Sequence, residues 1–193
     1  MSALAWVRRP APLSPVALVL AAVALLLADL GDQLVGGATL AGAPLDETAH
    51  ALTTLLVLWA IGGPLYEQML APALVASVAI DADHIPGELG SQVLTAGTPR
   101  PYTHCLLTII LVVVAARLWP RRRELLTGVA VGLAIHLWRD MAEPGTGVAL
   151  LWPASGASWS LSHVSYLVVM GVVVLLGWRR CEEGAARARV AHR

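Results

Sequence analysis

The chain has 193 residues, is 57% hydrophobic and only 13% charged, carries a formal net charge of zero, and has a mean hydropathy of +0.70. So few charges at this length exclude an ordinary soluble domain and point to membrane embedding. The balanced charge gives no reason to expect nucleic-acid binding, and every basic residue is arginine.

Six apolar runs follow one another. A tail with Arg8 and Arg9 precedes Val16 to Leu30, interrupted only by Asp29. A basic start and a short apolar centre also describe a signal peptide, but no small-x-small cleavage site follows, which favours a retained helix. Gly31 to Glu47 reads as a Gly/Ala-rich loop with acids at Asp32, Asp46 and Glu47. The second run is Thr48 to Ile61, stopped by Gly62-Gly63-Pro64, and the third is Leu65 to Ile80, with Pro72 tolerated as a kink. Asp81 to Tyr102 reads as a polar loop. Thr103 to Trp119, Leu125 to Met141 and Leu161 to Trp178 complete the set, with a loop from Ala142 to Ser160 and a basic tail from Arg179 expected to fray. Each run is about 14 to 18 residues, near the short end for a spanning helix. The expected fold is all-α, a polytopic transmembrane bundle of about six spans (near 16–30, 48–61, 65–80, 103–119, 125–141 and 161–178) forming a single domain. Cys105 and Cys181 fall at opposite ends of this layout, so no disulfide is expected between them.

Arginine placement sets the orientation. With both termini in the cytoplasm, the inner face holds Arg8, Arg9, Arg117, Arg121, Arg122, Arg123, Arg179, Arg180, Arg187, Arg189 and Arg193, and the outer face only Arg100 and Arg139. Trp119 and Trp178 then lie at the inner interface and Trp152 and Trp159 at the outer one. The same map, which used no histidine or aspartate, puts His50, Asp81, Asp83, His84, His104, His136, Asp140 and His163 at the outer ends of their runs, and only His192 inside.

That convergence predicts a metal site. His136 and Asp140 are four apart on one helix, about 6 Å along the axis, so both can reach one ion; a His–Asp hydrogen bond inside the bundle has the same spacing. Asp81-Ala82-Asp83-His84 sets three ionisable groups beside a bilayer, where a divalent cation offsets their desolvation; a solvated loop after a helix end is the plainer alternative. Mixed Asp/His ligation suits zinc, manganese or iron. The candidate ligands are His50, Asp83, His84, His104, His136 and Asp140. Asp81 is a ligand, base or supporting group. Thr103 is a helix cap or a donor behind the ligands, and Glu47 orients or competes with His50. His163 is a weaker candidate. Arg100 can neutralise a substrate anion. Both outer arginines can equally be interfacial, with Arg139, some 100° around the helix from Asp140, reaching headgroups.

The Thr48-Ala-His50 stretch, Asp81-Ala-Asp-His84, Arg100-Pro-Tyr-Thr-His104, and the block from His136-Leu-Trp-Arg-Asp140 through Gly147-Val-Ala-Leu-Leu-Trp-Pro153 carry a family resemblance. The chain resembles the bacterial inner-membrane family described as LexA-binding, membrane-bound metal-dependent hydrolases, the YdjM-like family. The likeness covers roughly Thr48 to Pro153. Pro99 stands where relatives often have His, Cys105 where Ser is common, and Ala142 to Thr146 replace the usual Thr and Pro, which bears on the number of metals. The resemblance implies a metal-dependent hydrolase, and a more distant similarity to zinc-dependent phospholipase C and related nucleases implies phosphoester substrates.

The expected function is therefore metal-dependent hydrolysis at the extracytoplasmic face of the inner membrane, on a phosphoester or lipid-linked substrate reached from the bilayer. Two other readings stand beside it. One is a metal-binding or transport protein without catalysis; transport needs polar residues deeper in the spans, and spans one, four and six offer almost none. Bis-histidine haem needs histidines well inside two helices, whereas these lie at helix ends.

Overall fold

In a computed structural model, residues 13–35, 42–95, 97–145 and 147–191 are described, without the side chains of 64 and 187–191. Arg8, Arg9, His192 and Arg193, part of the orientation argument, lie outside them, as do the side chains of Arg187 and Arg189.

The described residues form a helical bundle: α1 Pro15–Val35, α2 Ala43–Ile61, α3 Gly63–Ala79, the short α4 Ile85–Glu88, α5 Leu106–Leu118, α6 Arg123–Ala142 and α7 His163–Ala191. Proline near their first turns starts α2, α3 and α4, where a missing N–H costs nothing. Gly62, at φ +65°, ends α2, and Arg180 of α7 fills the space a Cβ would occupy there, donating to the Ile61 carbonyl at 3.3 Å. Three expectations shift. The stretch expected as a loop from Gly31 is helical to Val35 and again from Ala43, so Asp32, Asp46 and Glu47 sit on helices. The polar stretch after Ile80 begins with a 3₁₀ turn, Ile80–His84, that continues α3. The tail does not fray at Arg179, because its alanines and glutamates sustain α7 to Ala191.

Among the described residues, four stretches are long and apolar enough to cross a membrane: Pro15–Val35, Leu65–Glu88, Pro120–Ala142 and His163–Ala186; Leu106–Leu118 is apolar but shorter. The surface agrees. Val164, Val168, Val172 and Leu175 make an exposed apolar stripe along one side of α7, and Val16, Leu20, Leu27 and Leu34 are exposed on α1. The buried set, by contrast, includes Asp29, His50, His104, His136, Arg139 and Asp140. Apolar outside with polar groups within is the distribution a lipid solvent requires.

The closest helix pair, α3 with α6, positions the polar groups. A Cβ on Gly128 would overlap Pro72, and one on Gly132 would overlap the Ala73 carbonyl oxygen. One turn further along both helices, His136 meets Ser77, so the small residues let the backbones approach until that imidazole reaches a main-chain oxygen. Gly132→Val is expected to force the helices apart and lower stability by about 1–3 kcal/mol or more, read as a fall in the unfolding midpoint. A variant as stable as the parent would remove the close-approach argument.

At the same end of the bundle, the loop after α6 is pinned to the start of α5. Val148 and Trp159 form an isolated antiparallel bridge, Leu106 N–H donates to Leu150 O at 3.0 Å, and Tyr102 stacks on Trp152 at 4.5 Å. Gly147, at φ +65°, has Ser158 and Trp159 where a side chain would go. Cys105 and Cys181 are free and buried.

Candidate metal centre

Four backbone segments deliver the candidate ligands. His50 comes from the third turn of α2; Asp81, Asp83 and His84 from the 3₁₀ turn; His104 from the loop ahead of α5; and His136 and Asp140 from the end of α6. The tightening of α3 into a 3₁₀ turn packs Asp81 and His84, three apart, onto one side, with Asp81 Oδ1 and His84 Nε2 3.5 Å apart.

His136 is the centre of the set and fully buried. Its Nδ1 lies 2.8 Å from the Ser77 carbonyl, which can only accept, so Nδ1 carries the proton. In the neutral ring the Nε2 lone pair then faces His104 Nε2 at 3.1 Å, Asp140 Oδ2 at 3.1 Å and Asp81 Oδ1 at 3.4 Å. A lone pair aimed at two carboxylates and a second imidazole is repulsive unless something positive lies among them. Histidines that bind metals have this arrangement, with the other ring nitrogen held by a carbonyl.

Asp140 repeats the pattern. Neither of its buried oxygens has a hydrogen bond among the described residues. Yet Nε2 of His136, His50 and His104 lie 3.1, 3.3 and 3.6 Å away, and Arg100 Nη1 3.4 Å. Atoms bound to one zinc at about 2.0–2.1 Å sit roughly 3.3–3.4 Å from one another in a tetrahedron, so these separations are compatible with atoms sharing a cation. Groups able to hold an ion are His50 with His136 and Asp140; Asp81 with His104 and His136; Asp83 with His84 and His104; and Asp46 with His50 and Asp81. The six expected ligands and Asp81 are thus brought together. His163 is not; it contacts Ala142 and Gln33 instead.

The surrounding shell differs more from expectation. Thr103 caps no helix, since α5 begins after Cys105; its hydroxyl donates to Asp83 Oδ2. Glu47 Oε2 is buried without a partner among the described residues. The Arg100 guanidinium contacts Asp140 and pairs with Glu143. Burial works against its charge, but Asp140 and Glu143 outweigh that and hold its pKa above the ordinary value. Burial also raises the Glu143 carboxyl, with Arg100 pulling the other way. Arg139 is not interfacial. It is 5% exposed and reaches back through the bundle to Asp29 Oδ1 at 2.8 Å, Asp46 Oδ1 at 2.5 Å and His50 Nε2 at 3.1 Å. The turn of about 100° that separates it from Asp140 points it at α1 and α2 rather than lipid. Asp46 and Glu143 were missed as members of this shell. The only sequence signal was that both are acids near the ends of apolar runs.

The model of the YdjM inner membrane protein family matches residues 29–191. The chain belongs to this family. As a YdjM-family chain with several helices apolar enough to span, it is a multi-pass inner membrane protein, and its match begins at Asp29, the α1 carboxylate that holds Arg139. Neither a curated protein nor a solved structure matches it.

Proposed function

We propose that this YdjM-family protein is a membrane-bound metal-dependent hydrolase, acting at the extracytoplasmic face on a phosphoester or lipid-linked substrate. One observation carries the reading. The His136 Nε2 lone pair, fixed by the Ser77 carbonyl, faces Asp81, His104 and Asp140 in a buried site. The donor set fits zinc, with manganese or iron as alternatives.

His136, Asp140 and His104 would hold the ion, with Asp83 and His84 beside them and His50, whose Nε2 Arg139 also reaches, at the edge of the set. Zinc in such a set supplies Lewis acidity, polarising a phosphoryl group and lowering the pKa of water. The protein's own groups divide the remaining work. Asp81 is partly exposed and its Oδ2 lacks a partner among the described residues, so it can take a proton from an attacking water. Arg100 contacts Asp140 and pairs with Glu143, which fits holding the ligand carboxylate in place better than gripping a substrate anion. The orientation favoured by the arginine distribution puts this end of the bundle outside the cytoplasm, within reach of lipid headgroups.

The test is turnover of short-chain phosphodiesters by the purified protein in detergent. Activity is expected, lost with a chelator and restored by zinc or manganese. Full activity in both His136→Ala and Asp140→Ala would refute the site. Tight metal binding without turnover of any phosphoester would leave a metal-binding protein and refute the hydrolase.

A further inference from the structure

A polar pocket lies beside the candidate metal centre, between the end of α1, the end of α6 and the start of α7. Asp29, Asp32, Gln33, Arg139, His163 and Tyr166 line it, and it has room for about one water-sized group. None of these residues belongs to the groups able to hold a metal among the described residues.

Its charges do not balance. Arg139 is shared by Asp29 and Asp46, and Glu143, which also lines the pocket, pairs with Arg100. Asp32 is 4% exposed and, among the described residues, pairs with no cation and has no hydrogen-bond partner for its Oδ1. The second oxygen of Asp29, Oδ2, is likewise buried and unpartnered among them. Two acceptor oxygens in a cavity with a surplus negative charge call for a guest that is cationic and donates hydrogen bonds. Three other polar groups of the wall are engaged, His163 Nδ1 with the Ala142 carbonyl, Gln33 with His163, and the Tyr166 hydroxyl with Thr53, whereas Arg139 Nε is buried without a partner among the described residues.

We propose that this pocket binds a primary ammonium group. Its size and chemistry narrow the choice. A quaternary ammonium is too large and has no N–H to offer the two carboxylate oxygens. A divalent ion meets the Arg139 guanidinium at twice the repulsion of a monocation. A primary ammonium has three N–H donors on a head about the size of water, so Asp32 and Asp29 can both be satisfied. The amine can come from a soluble molecule or from an aminophospholipid headgroup, since both present the same group. The inference does not depend on hydrolase activity.

Isothermal titration of the purified chain, in chelator and nonionic detergent, tests it. Methylammonium is expected to bind, and Asp32→Asn, which keeps shape and removes charge, to weaken it by roughly tenfold or more. Tetramethylammonium is expected not to compete. Short-chain phosphatidylethanolamine binding more tightly than phosphatidylcholine would assign the amine to a lipid; equal binding of the two would assign it to a soluble amine. Thermal melts of both proteins check that the variant is folded. Should methylammonium fail to bind, bind Asp32→Asn equally, or be displaced equally well by sodium, the proposal is overturned. Because no metal is present in the assay, its failure leaves the metal-dependent reading standing, and the reverse also holds.

Discussion

His136→Ala is expected to strip the protein of metal. The Nε2 of this residue is within 3.4 Å of a ligand atom on each of Asp81, His104 and Asp140, so its loss removes a donor that faces three other candidate ligands at once. Removing it takes away a neutral donor and leaves two carboxylates and His104 around a cavity. Outer-shell partners typically contribute about 10–100-fold to metal affinity, so loss of a central ligand is expected to exceed about a hundredfold. The readout is metal per chain by mass spectrometry after dialysis against a weak chelator, with circular dichroism to show that the bundle is intact. A variant that keeps wild-type metal content would place the ion elsewhere. His163→Ala serves as the contrast. That ring lies apart from the cluster, and metal content is expected to hold.

Arg139→Met is expected to be the most destabilising single change outside the candidate ligands. The guanidinium is buried and is the shared partner of Asp29 and Asp46, on two different helices. Methionine preserves much of the volume but leaves two low-exposure carboxylates without their cation. Breaking a buried ion pair from one side costs about 3–5 kcal/mol, because the remaining charge stays desolvated. The unfolding midpoint in detergent measures it. Adding Asp29→Asn is expected to recover part of the loss, since one stranded charge is then gone. Exposed Arg121→Ala is expected to stay within about 0.5 kcal/mol of the parent. A loss below about 1 kcal/mol for Arg139→Met would mean that water already screens this cluster.

The elements and the candidate site were legible in different degrees. Apolar runs and their stops at Gly62-Gly63-Pro64 and Pro120 marked the helices, because backbone hydrogen bonding in lipid leaves a chain few options. The placement of histidines and aspartates at one end of those runs marked the cluster, since an ionisable group at a membrane helix end is costly without a partner. Several helix ends were misplaced. Gly31 suggested a break that α1 passes straight through, and the charged tail hid a helix, because single glycines and surface charges are weak signals against a packed neighbour.

The sequence by itself determined an all-helical membrane chain whose acids and imidazoles collect at one end, since hydropathy and spacing act locally along the chain. Only the tertiary structure decided which of them face one another. Arg139 meets Asp29 from 110 residues away and Asp46 from 93, and the Ser77 carbonyl selects the tautomer of His136. Those contacts depend on the rotation and depth of each helix against its neighbours. Side-chain packing fixes both, above all where Gly132 lets α6 close on Ala73, and no periodicity records it.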